Sequence, residues 1–234
     1  MSQRLTGSVQ NHERKTMSNR GNNDQPPKER PLDPRVFVSL LAAGRSSRMG
    51  KAGASKLLAE FDGIALVRRS AQVALGSTAD TVIVVTGHHR LEIEAALDGL
   101  GVECVKNPIF EHGMATSLAA GIIRCGALGA DAVLVMLADM PGLTSDDLNR
   151  LIAAFCIADG EVVVRAMGDG KPGSPVILPK SLFEAVVQLE GDVGARRIIE
   201  TSSLPIVYVE IGEAALLDVD TPEAIRAAGG TLKA

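Results

Sequence analysis

The sequence lacks the features that mark several large classes of protein. Its three cysteines are odd in number and far apart in apolar surroundings, which favours reduced core thiols over disulfides or a metal cage. The formal net charge of -4 provides no broad basic field for nucleic acid or an anionic membrane. No apolar run reaches the roughly 18 residues of a membrane span, and the N-terminus has no apolar signal-peptide core. These absences predict a cytoplasmic protein that binds neither nucleic acid nor membrane.

Two common nucleotide-binding fingerprints are also missing from the glycine-rich stretch LLAAGRSSRMGK, which begins at Leu40. A P-loop has four residues between its glycines and Ser or Thr after its lysine, whereas five residues separate Gly44 from Gly50, and Ala52 follows Lys51. The dinucleotide fingerprint GxGxxG is absent as well, which disfavours a dehydrogenase. Small side chains nevertheless let the backbone approach a ligand, and successive amides can bind phosphate oxygens. The stretch therefore predicts a phosphate loop of another kind.

Composition divides the chain into a polar tail and one long domain. Residues 1–34 are rich in Asn, Arg and Pro and have almost no large apolar side chains, so we expect a disordered tail. Met1 and Met17 are both compatible with the true start of the protein. From residue 35 to 230, short β-branched runs alternate with segments of helical spacing. The strands are predicted at 35–42, 81–86, 102–106, 132–137, 161–166, 174–179 and 205–210, and the helices at 64–75, 89–98, 115–126, 144–156, 180–188, 193–200 and 221–228.

This alternation predicts an α/β fold. Strands that are apolar on both faces are typical of a mainly parallel sheet covered by helices on each side, which is a Rossmann-like three-layer sandwich. Two closely spaced strands in the later part predict a β-rich addition near the site. Ligands of such sheets bind beyond the carboxyl ends of the strands, so the loops there are the candidates for function.

Acidic residues stand in two of these loops. Asp139 follows the buried strand 132–137, where a carboxylate is costly unless it is paired or bound to a cation, and this predicts a magnesium ligand. Alternatively Asp139 caps the next helix, although TSDD at 144–147 provides caps of its own. Asp218 and Asp220 would point the same way in an extended segment, which again suits a cation. The same segment, with a Pro two residues after Asp220, is also a typical helix start.

The stretch LAAGRSSRMGKAGASKLL resembles the signature LAAGxSxRMGxxK of the sugar-nucleotide and molybdopterin nucleotidyltransferases, the MobA-like NTP transferase superfamily. These enzymes transfer a nucleoside monophosphate from an NTP to a phosphorylated acceptor. Through NPIFEHGMATSLAAGI, LADMPGL, GDVGAR and DVDTPE, the chain over 36–228 resembles the molybdenum cofactor cytidylyltransferase group. The resemblance implies the nucleotide-diphospho-sugar transferase fold, Mg²⁺ as cofactor, CTP and the molybdopterin cofactor as substrates, and a molybdoenzyme or chaperone that receives the product.

The resemblance also implies roles for individual residues. Arg48, Lys56 and Asp139 are the expected catalytic residues, although three extra residues before Lys56 leave Lys51 as an alternative to it. Asp139 and Asp220 are the expected metal ligands, with Asp218 as their neighbour. The expected nucleotide-binding residues are Leu41, Ala42, Ala43, Gly44, Arg45, Ser46, Arg48, Lys56, Gly113 and Ser117, and the acceptor-binding residues are Gly173, Ser174 and Arg196. A solvated helix face is the alternative for Arg196, and Ser174 departs from the family's commoner Gly-His-Pro.

The sequence thus predicts Mg²⁺-dependent transfer of CMP from CTP to the terminal phosphate of the molybdenum-molybdopterin cofactor, with release of pyrophosphate. The methyl group of Ala43, where guanylyl relatives tend to have Gly, would crowd a purine more than a pyrimidine. Three alternatives stay open: guanylyl transfer to the same cofactor, nucleotidyl transfer to a sugar or polyol phosphate, and a non-catalytic cofactor-binding protein. The extra residues before Lys56 favour the last of these.

Overall fold

Strands and helices alternate along the chain, as the sequence pattern predicts. The computed structural model describes residues 34–46, 49 and 55–232, and these belong to one compact unit. The predicted tail, except for Pro34, lies outside the described residues, and so do Arg48 and Lys51. None of the helices in the described part of the chain is long and apolar enough to cross a membrane.

One seven-stranded sheet dominates the described residues. Its strands are β1 (Val36–Ala42), β4 (Thr81–Thr86), β5 (Glu103–Lys106), β6 (Ala132–Leu137), β7 (Val163–Gly168), β8 (Lys171–Pro179) and β9 (Ile206–Glu210), and a separate pair is formed by β2 (Glu60–Phe61) and β3 (Ile64–Ala65). The order across the sheet is β5-β4-β1-β6-β8-β7-β9. β8 runs antiparallel to β6 and β7, and the other neighbouring pairs are parallel. The prediction of a mainly parallel sheet is confirmed.

Helices cover both faces of this sheet. Those of the described residues are α1 (Leu66–Leu75), α2 (Arg90–Ala96), α3 (Met114–Ala127), α4 (Ser145–Ile157), α5 (Phe183–Val187), α6 (Ala195–Thr201) and α7 (Pro222–Ala227). Short 3-10 helices lie at Lys56–Leu58, Phe110–His112, Lys180–Leu182 and Gly212–Ala215. α4 begins with the predicted cap, because Thr144 accepts from the Asp147 amide and Asp147 accepts from the Thr144 amide.

The core consists of two layers that follow the two-residue period of the strands. Along β1, Val38 and Leu40 point into the layer under α1 and α4, whereas Phe37 points into the layer under α3, α5 and α6. The cysteines form no disulfide. Burial raises the pKa of the Cys125 thiol to about 12, so this side chain behaves as an inert apolar residue, as the sequence predicts.

The later strands differ from the prediction in one respect. The predicted β-rich addition near the site is not a separate unit, because β7, β8 and β9 are paired into the main sheet. β7 and β8 are joined by Asp169 and Gly170, which both have positive φ (49° and 73°), the geometry of a two-residue hairpin turn. Asp62 and Gly63 join β2 to β3 in the same way, with φ of 52° and 77°. The hairpin reverses the direction of the chain, so the first residues of β8 lie beside the carboxyl end of β6.

Candidate active site

The glycine-rich loop leaves the carboxyl end of β1 at the middle of the parallel strands. Ala42 is buried in the core, and Ala43 is buried beside it. The Ala43 carbonyl accepts a hydrogen bond from the amide of His88 (3.3 Å). A Cβ added to Gly44 would meet no atom of the described residues within 4 Å. Packing therefore holds the start of the loop, while the backbone at Gly44 stays open to a ligand.

The Lys56 ammonium contacts two carboxylates that are far apart in the sequence. Its Nζ donates to Oδ2 of Asp139 and to Oδ1 of Asp220, the latter at 2.5 Å. Burial by itself lowers the pKa of Lys56, but the charges and hydrogen bonds of the two aspartates outweigh burial and raise it above its ordinary value. Lys56 is therefore a cation at neutral pH, held between two carboxylates. The structure gives this geometry to Lys56, whereas Lys51 lies outside the described residues.

A backbone hydrogen bond brings the two acidic segments together. The amide of Val219 donates to the Asp139 carbonyl (3.0 Å), and the Val219 side chain is fully buried in a small apolar cluster. Asp218 and Asp220 flank this buried residue in the chain. Burial, together with repulsion from Asp220 and Asp139, raises the pKa of Asp218, so the three carboxylates share one electrostatic environment. The helix-start interpretation holds as well, because Thr221 caps α7 and accepts from its third amide.

One oxygen of this acidic cluster fits a cation. Oδ1 of Asp139 is buried and has no hydrogen-bond partner among the described residues. A buried carboxylate oxygen without a partner is costly, and a hard cation with oxygen ligands would satisfy it. No group of three or more His, Cys, Asp or Glu in the described ranges is arranged as a complete metal site by itself. Mg²⁺ commonly takes one or two carboxylates and completes its shell with water and substrate phosphates, so these residues fit it.

A cavity of about 460 Å³ adjoins the loop and the Lys56 bridge. Its walls include most of the predicted nucleotide-binding residues and one predicted metal ligand, namely Leu41, Ala43, Gly44, Arg45, Lys56, Gly113, Ser117 and Asp139. Ala42 is not among the lining residues, because its side chain faces the core. Ser46 acts on the loop instead, since its hydroxyl accepts from the Lys56 amide (3.4 Å). Arg48 lies outside the described residues, and its role stays a prediction.

The N-terminus of α3 forms another wall of this cavity. Asn107 donates from its Nδ2 to the hydroxyls of Thr116 (2.8 Å) and Ser117 (3.0 Å), which fixes both side chains.

The loop before α6 contacts this helix N-terminus. The first amide of α3 donates to Oδ1 of Asp192 (3.3 Å), and the second amide of α3 donates to the carbonyl of Gly191 (3.3 Å). Gly113 permits this approach, because a Cβ there would lie 2.4 Å from that carbonyl oxygen. The loop before α6 thus binds the helix end that the sequence assigns to an anion.

A second cavity, of about 190 Å³, adjoins the first. Leu41, Met114 and Leu137 line both. The three predicted acceptor-binding residues, Gly173, Ser174 and Arg196, all line the second cavity. The structure therefore places the predicted acceptor residues together and next to the predicted nucleotide residues.

Several lining residues are absent from the sequence-based assignment. Glu111, His112 and Asp192 line the first cavity, and Arg165 lines the second. Glu111 and His112 directly precede Gly113 in the stretch NPIFEHGMATSLAAG, and Asp192 lies in the stretch GDVGAR, so membership of these motifs is the sequence signal for all three. Arg165 lies in a strand whose neighbour was not predicted to be antiparallel, and no motif marked it.

Comparison with known proteins defines the class. The sequence matches the MobA-like NTP transferase domain over residues 38–206, so the chain belongs to this family of nucleotidyltransferases. The purine catabolism protein PucB of Bacillus subtilis is 32% identical over 205 residues, which cover 81% of this chain and 94% of PucB. A molybdenum cofactor guanylyltransferase of Shewanella loihica is 27% identical over 168 residues, which cover 71% of this chain and 80% of that protein.

The fold is also that of solved proteins. The crystal structure of Rv0371c from Mycobacterium tuberculosis superimposes with a TM-score of 0.72, covering 85% of this chain and 98% of that chain at 24% identity. The predicted fold class is thereby confirmed, and the family match over residues 38–206 confirms the predicted superfamily.

Proposed function

We propose that the protein transfers CMP from CTP to the terminal phosphate of the molybdenum-molybdopterin cofactor, with Mg²⁺ as cofactor and pyrophosphate as the second product. The observation that carries the proposal is the Lys56 ammonium, which contacts Asp139 and Asp220 and lines the cavity at the Gly44 loop. This arrangement supplies an open backbone, a cation and acidic ligands in one place. These are the components of a phosphoryl-transfer site that works by positioning and charge neutralisation.

The reaction needs no covalent intermediate. An oxygen of the acceptor phosphate attacks the α-phosphorus of the nucleotide, the bond from that phosphorus to the oxygen bridging to the β-phosphorus breaks, and pyrophosphate leaves with the bonding electron pair. A phosphate monoester is largely ionised at neutral pH, so no general base has to remove a proton. Lys56 neutralises charge that develops on the leaving group, and the amides near Gly44 hold its oxygens. Arg48 has the same neutralising role by its sequence position.

The acidic cluster of Asp139, Asp218 and Asp220 is the proposed site of Mg²⁺. Asp139 and Asp220 would hold Mg²⁺, with Asp218 beside them, and the unpartnered Oδ1 of Asp139 supports this assignment. When bound, Mg²⁺ supplies the positive charge that polarises the α-phosphoryl oxygens. Burial and, after it, repulsion from Asp220 and Asp139 raise the pKa of Asp218, and a cation among the carboxylates would relieve that repulsion.

The small residue at Ala43 supports CTP as the donor. Ala43 lines the first cavity, and its carbonyl accepts a hydrogen bond from the His88 amide, which fixes the backbone that carries the methyl group. Such a methyl group narrows the space for a purine more than for a pyrimidine.

Pyrophosphate release tests the proposal. The purified protein is incubated with Mg²⁺, the molybdenum-molybdopterin cofactor and each of the four ribonucleoside triphosphates in turn. We expect the fastest release with CTP, and Ala43→Gly should raise the rate with GTP relative to CTP. Faster release with GTP in the unchanged protein would contradict the cytidylyl assignment. Replacing the cofactor by a sugar phosphate or by glycerol 3-phosphate tests the other acceptors.

Guanylyl transfer is the second candidate. It is supported by the relative from Shewanella loihica, whose name states that activity. The same nucleotide series decides between the two, because the donor is the only difference in the reaction.

A further inference from the structure

Arg165 occupies an unusual place for a charged residue. It lies in β7 between two strands, opposite Val176 of β8 and Tyr208 of β9. Its neighbours Val164 and Ala166 are fully buried on the other face of the sheet. Arg165 therefore shares the face that α3 and α6 cover, where apolar side chains are the rule. A guanidinium in such a place is costly unless its donors are satisfied.

One of its donors is used to hold the side chain in place. Nε donates to the Gly173 carbonyl (3.1 Å), which belongs to the strand that pairs with β7. Within residues 34–46, 49 and 55–232, no hydrogen bond or ion pair satisfies Nη1 or Nη2 of Arg165. The guanidinium is thus anchored at one edge, while the two-pronged edge that matches a carboxylate or phosphate is available.

The second cavity surrounds this group with positive charge and apolar walls. Arg196 lines it as well, and no described carboxylate does; the remaining walls are mostly apolar, including Leu118, Val135 and Ile199. Arg196 already pairs with Glu200 (2.6 Å), and its side chain is 75% exposed. Arg165 is therefore the lining cation that lacks an acidic partner among the described residues.

We propose that Arg165 is an acceptor-binding residue whose guanidinium binds an anionic phosphate group of the acceptor in the second cavity. The identification of this ligand as the acceptor rests on the proposed function. The apolar walls favour an acceptor in which the phosphate is attached to an apolar or ring-shaped body. Leu41, Met114 and Leu137 line both cavities, so an acceptor phosphate in the second cavity is next to the first cavity, where the nucleotide is proposed to bind.

Binding of phenyl phosphate, a phosphate monoester on an apolar ring, tests the proposal without turnover. The full chain is labelled with ¹⁵N and titrated with phenyl phosphate, and the amide signals of Gly173, Ser174 and Arg196 are followed. We expect saturable shifts at these amides, with the dissociation constant raised about tenfold or more in Arg165→Gln. The control Arg226→Gln removes an exposed arginine that lines neither cavity and should leave the dissociation constant unchanged.

Two results would overturn the inference: shifts confined to the first cavity at Gly44 and Gly113, or equal affinity in Arg165→Gln. If Arg165→Gln fails to fold, as judged by its amide spectrum, Arg165→Lys decides. Lysine keeps the charge but cannot present two parallel N–H groups, so a severalfold weaker binding is expected, and unchanged affinity contradicts the proposal.

A kinetic experiment separates this inference from the proposed function. In Arg165→Gln, the KM for the acceptor should rise while the KM for the nucleotide stays the same. If the unchanged protein transfers no nucleotide to any acceptor, the proposed function fails, whereas the phenyl phosphate titration still decides the role of Arg165. If transfer occurs and Arg165→Gln leaves the acceptor KM unchanged, the inference alone fails.

Discussion

The two adjoining cavities differ in how their charges are compensated. In the first, the Lys56 ammonium contacts carboxylates of Asp139 and Asp220. In the second, Arg165 contacts a backbone carbonyl, and no described carboxylate lines the walls. The first cavity therefore contains both signs of charge and suits an anion together with a cation, whereas the second suits an anion alone. For a nucleotidyltransferase, this division matches a metal-nucleotide complex on one side and a phosphorylated acceptor on the other.

Removing one carboxylate from the first cavity should have the largest effect. Asp139→Asn keeps the shape of the side chain but removes the charge, so Lys56 loses a charged partner and the proposed Mg²⁺ would lose a charged ligand. We expect pyrophosphate release to fall roughly 10²- to 10³-fold. Metal-dependent binding of CTP, measured by isothermal titration calorimetry, should weaken in parallel.

A matched acidic substitution supplies the control for that experiment. Asp147→Asn changes an acid at the start of α4, where it accepts from the Thr144 amide. This variant should lose about 1 kcal/mol of folding stability or less and retain its turnover per folded molecule. Equal turnover in Asp139→Asn and the unchanged protein would exclude the metal assignment.

Gly113 tests the wall that the first cavity takes from α3. Its φ is +108°, and a Cβ there would lie within 2.4 Å of the Gly191 carbonyl oxygen. Gly113→Ala should therefore destabilise the fold by about 3 kcal/mol, since neither the backbone angle nor the neighbouring backbone can accept a methyl group. Urea unfolding followed by circular dichroism measures this loss. A variant as stable as the unchanged protein would mean that the loop at Gly191 does not pack against the N-terminus of α3.

Gly44 offers the opposite case within the same cavity. A Cβ there would meet no described atom within 4 Å, so Gly44→Ala should keep the folding stability within about 0.5 kcal/mol. The added methyl group should instead obstruct the nucleotide and weaken CTP binding about tenfold, because the backbone can no longer approach the phosphates as closely. Unchanged CTP affinity would show that the loop does not contact the nucleotide.

The two cavities also differ in how much of each could be predicted from the sequence. The first cavity takes two of its residues from loops after parallel strands, and both stand in motifs whose strand context is visible: Gly44 after β1 and Asp139 after β6. Parallel strands gather their carboxyl ends at one edge, so placing these residues together needed only the strand order.

The second cavity depends on the antiparallel direction of β8, which the predicted strand pattern does not include. Asp169-Gly170 is a strong signal for a two-residue hairpin, and it predicts that β8 runs antiparallel to β7. Even with that signal, the sequence could not show that Arg165 faces a cavity, because a bulge shifts the register between Arg165 and Met167. Whether a strand arginine reaches solvent or a ligand pocket depends on the helices that cover its face, and α6 comes from a later part of the chain.

The smallest effects are expected at Arg196, the exposed arginine of the second cavity. Its pairing with Glu200 joins two side chains that are 75% and 56% exposed, so the pair contributes at most about 1 kcal/mol. Arg196→Gln should raise the KM for the acceptor about threefold, and Glu200→Gln, which releases the arginine, should lower that KM about twofold. Both variants should unfold at the same urea concentration as the unchanged protein.

Opposite shifts in the acceptor KM are the informative result. A solvated helix face predicts no change in either variant, whereas an acceptor-binding arginine restrained by Glu200 predicts changes of opposite sign. The double variant Arg196→Gln, Glu200→Gln should match Arg196→Gln alone, because Glu200 acts only through the arginine. If Arg196→Gln raises the acceptor KM as much as Arg165→Gln does, the exposed fraction of the side chain does not predict which arginine contributes more to acceptor binding. The acceptor phosphate then lies closer to α6 than to β7.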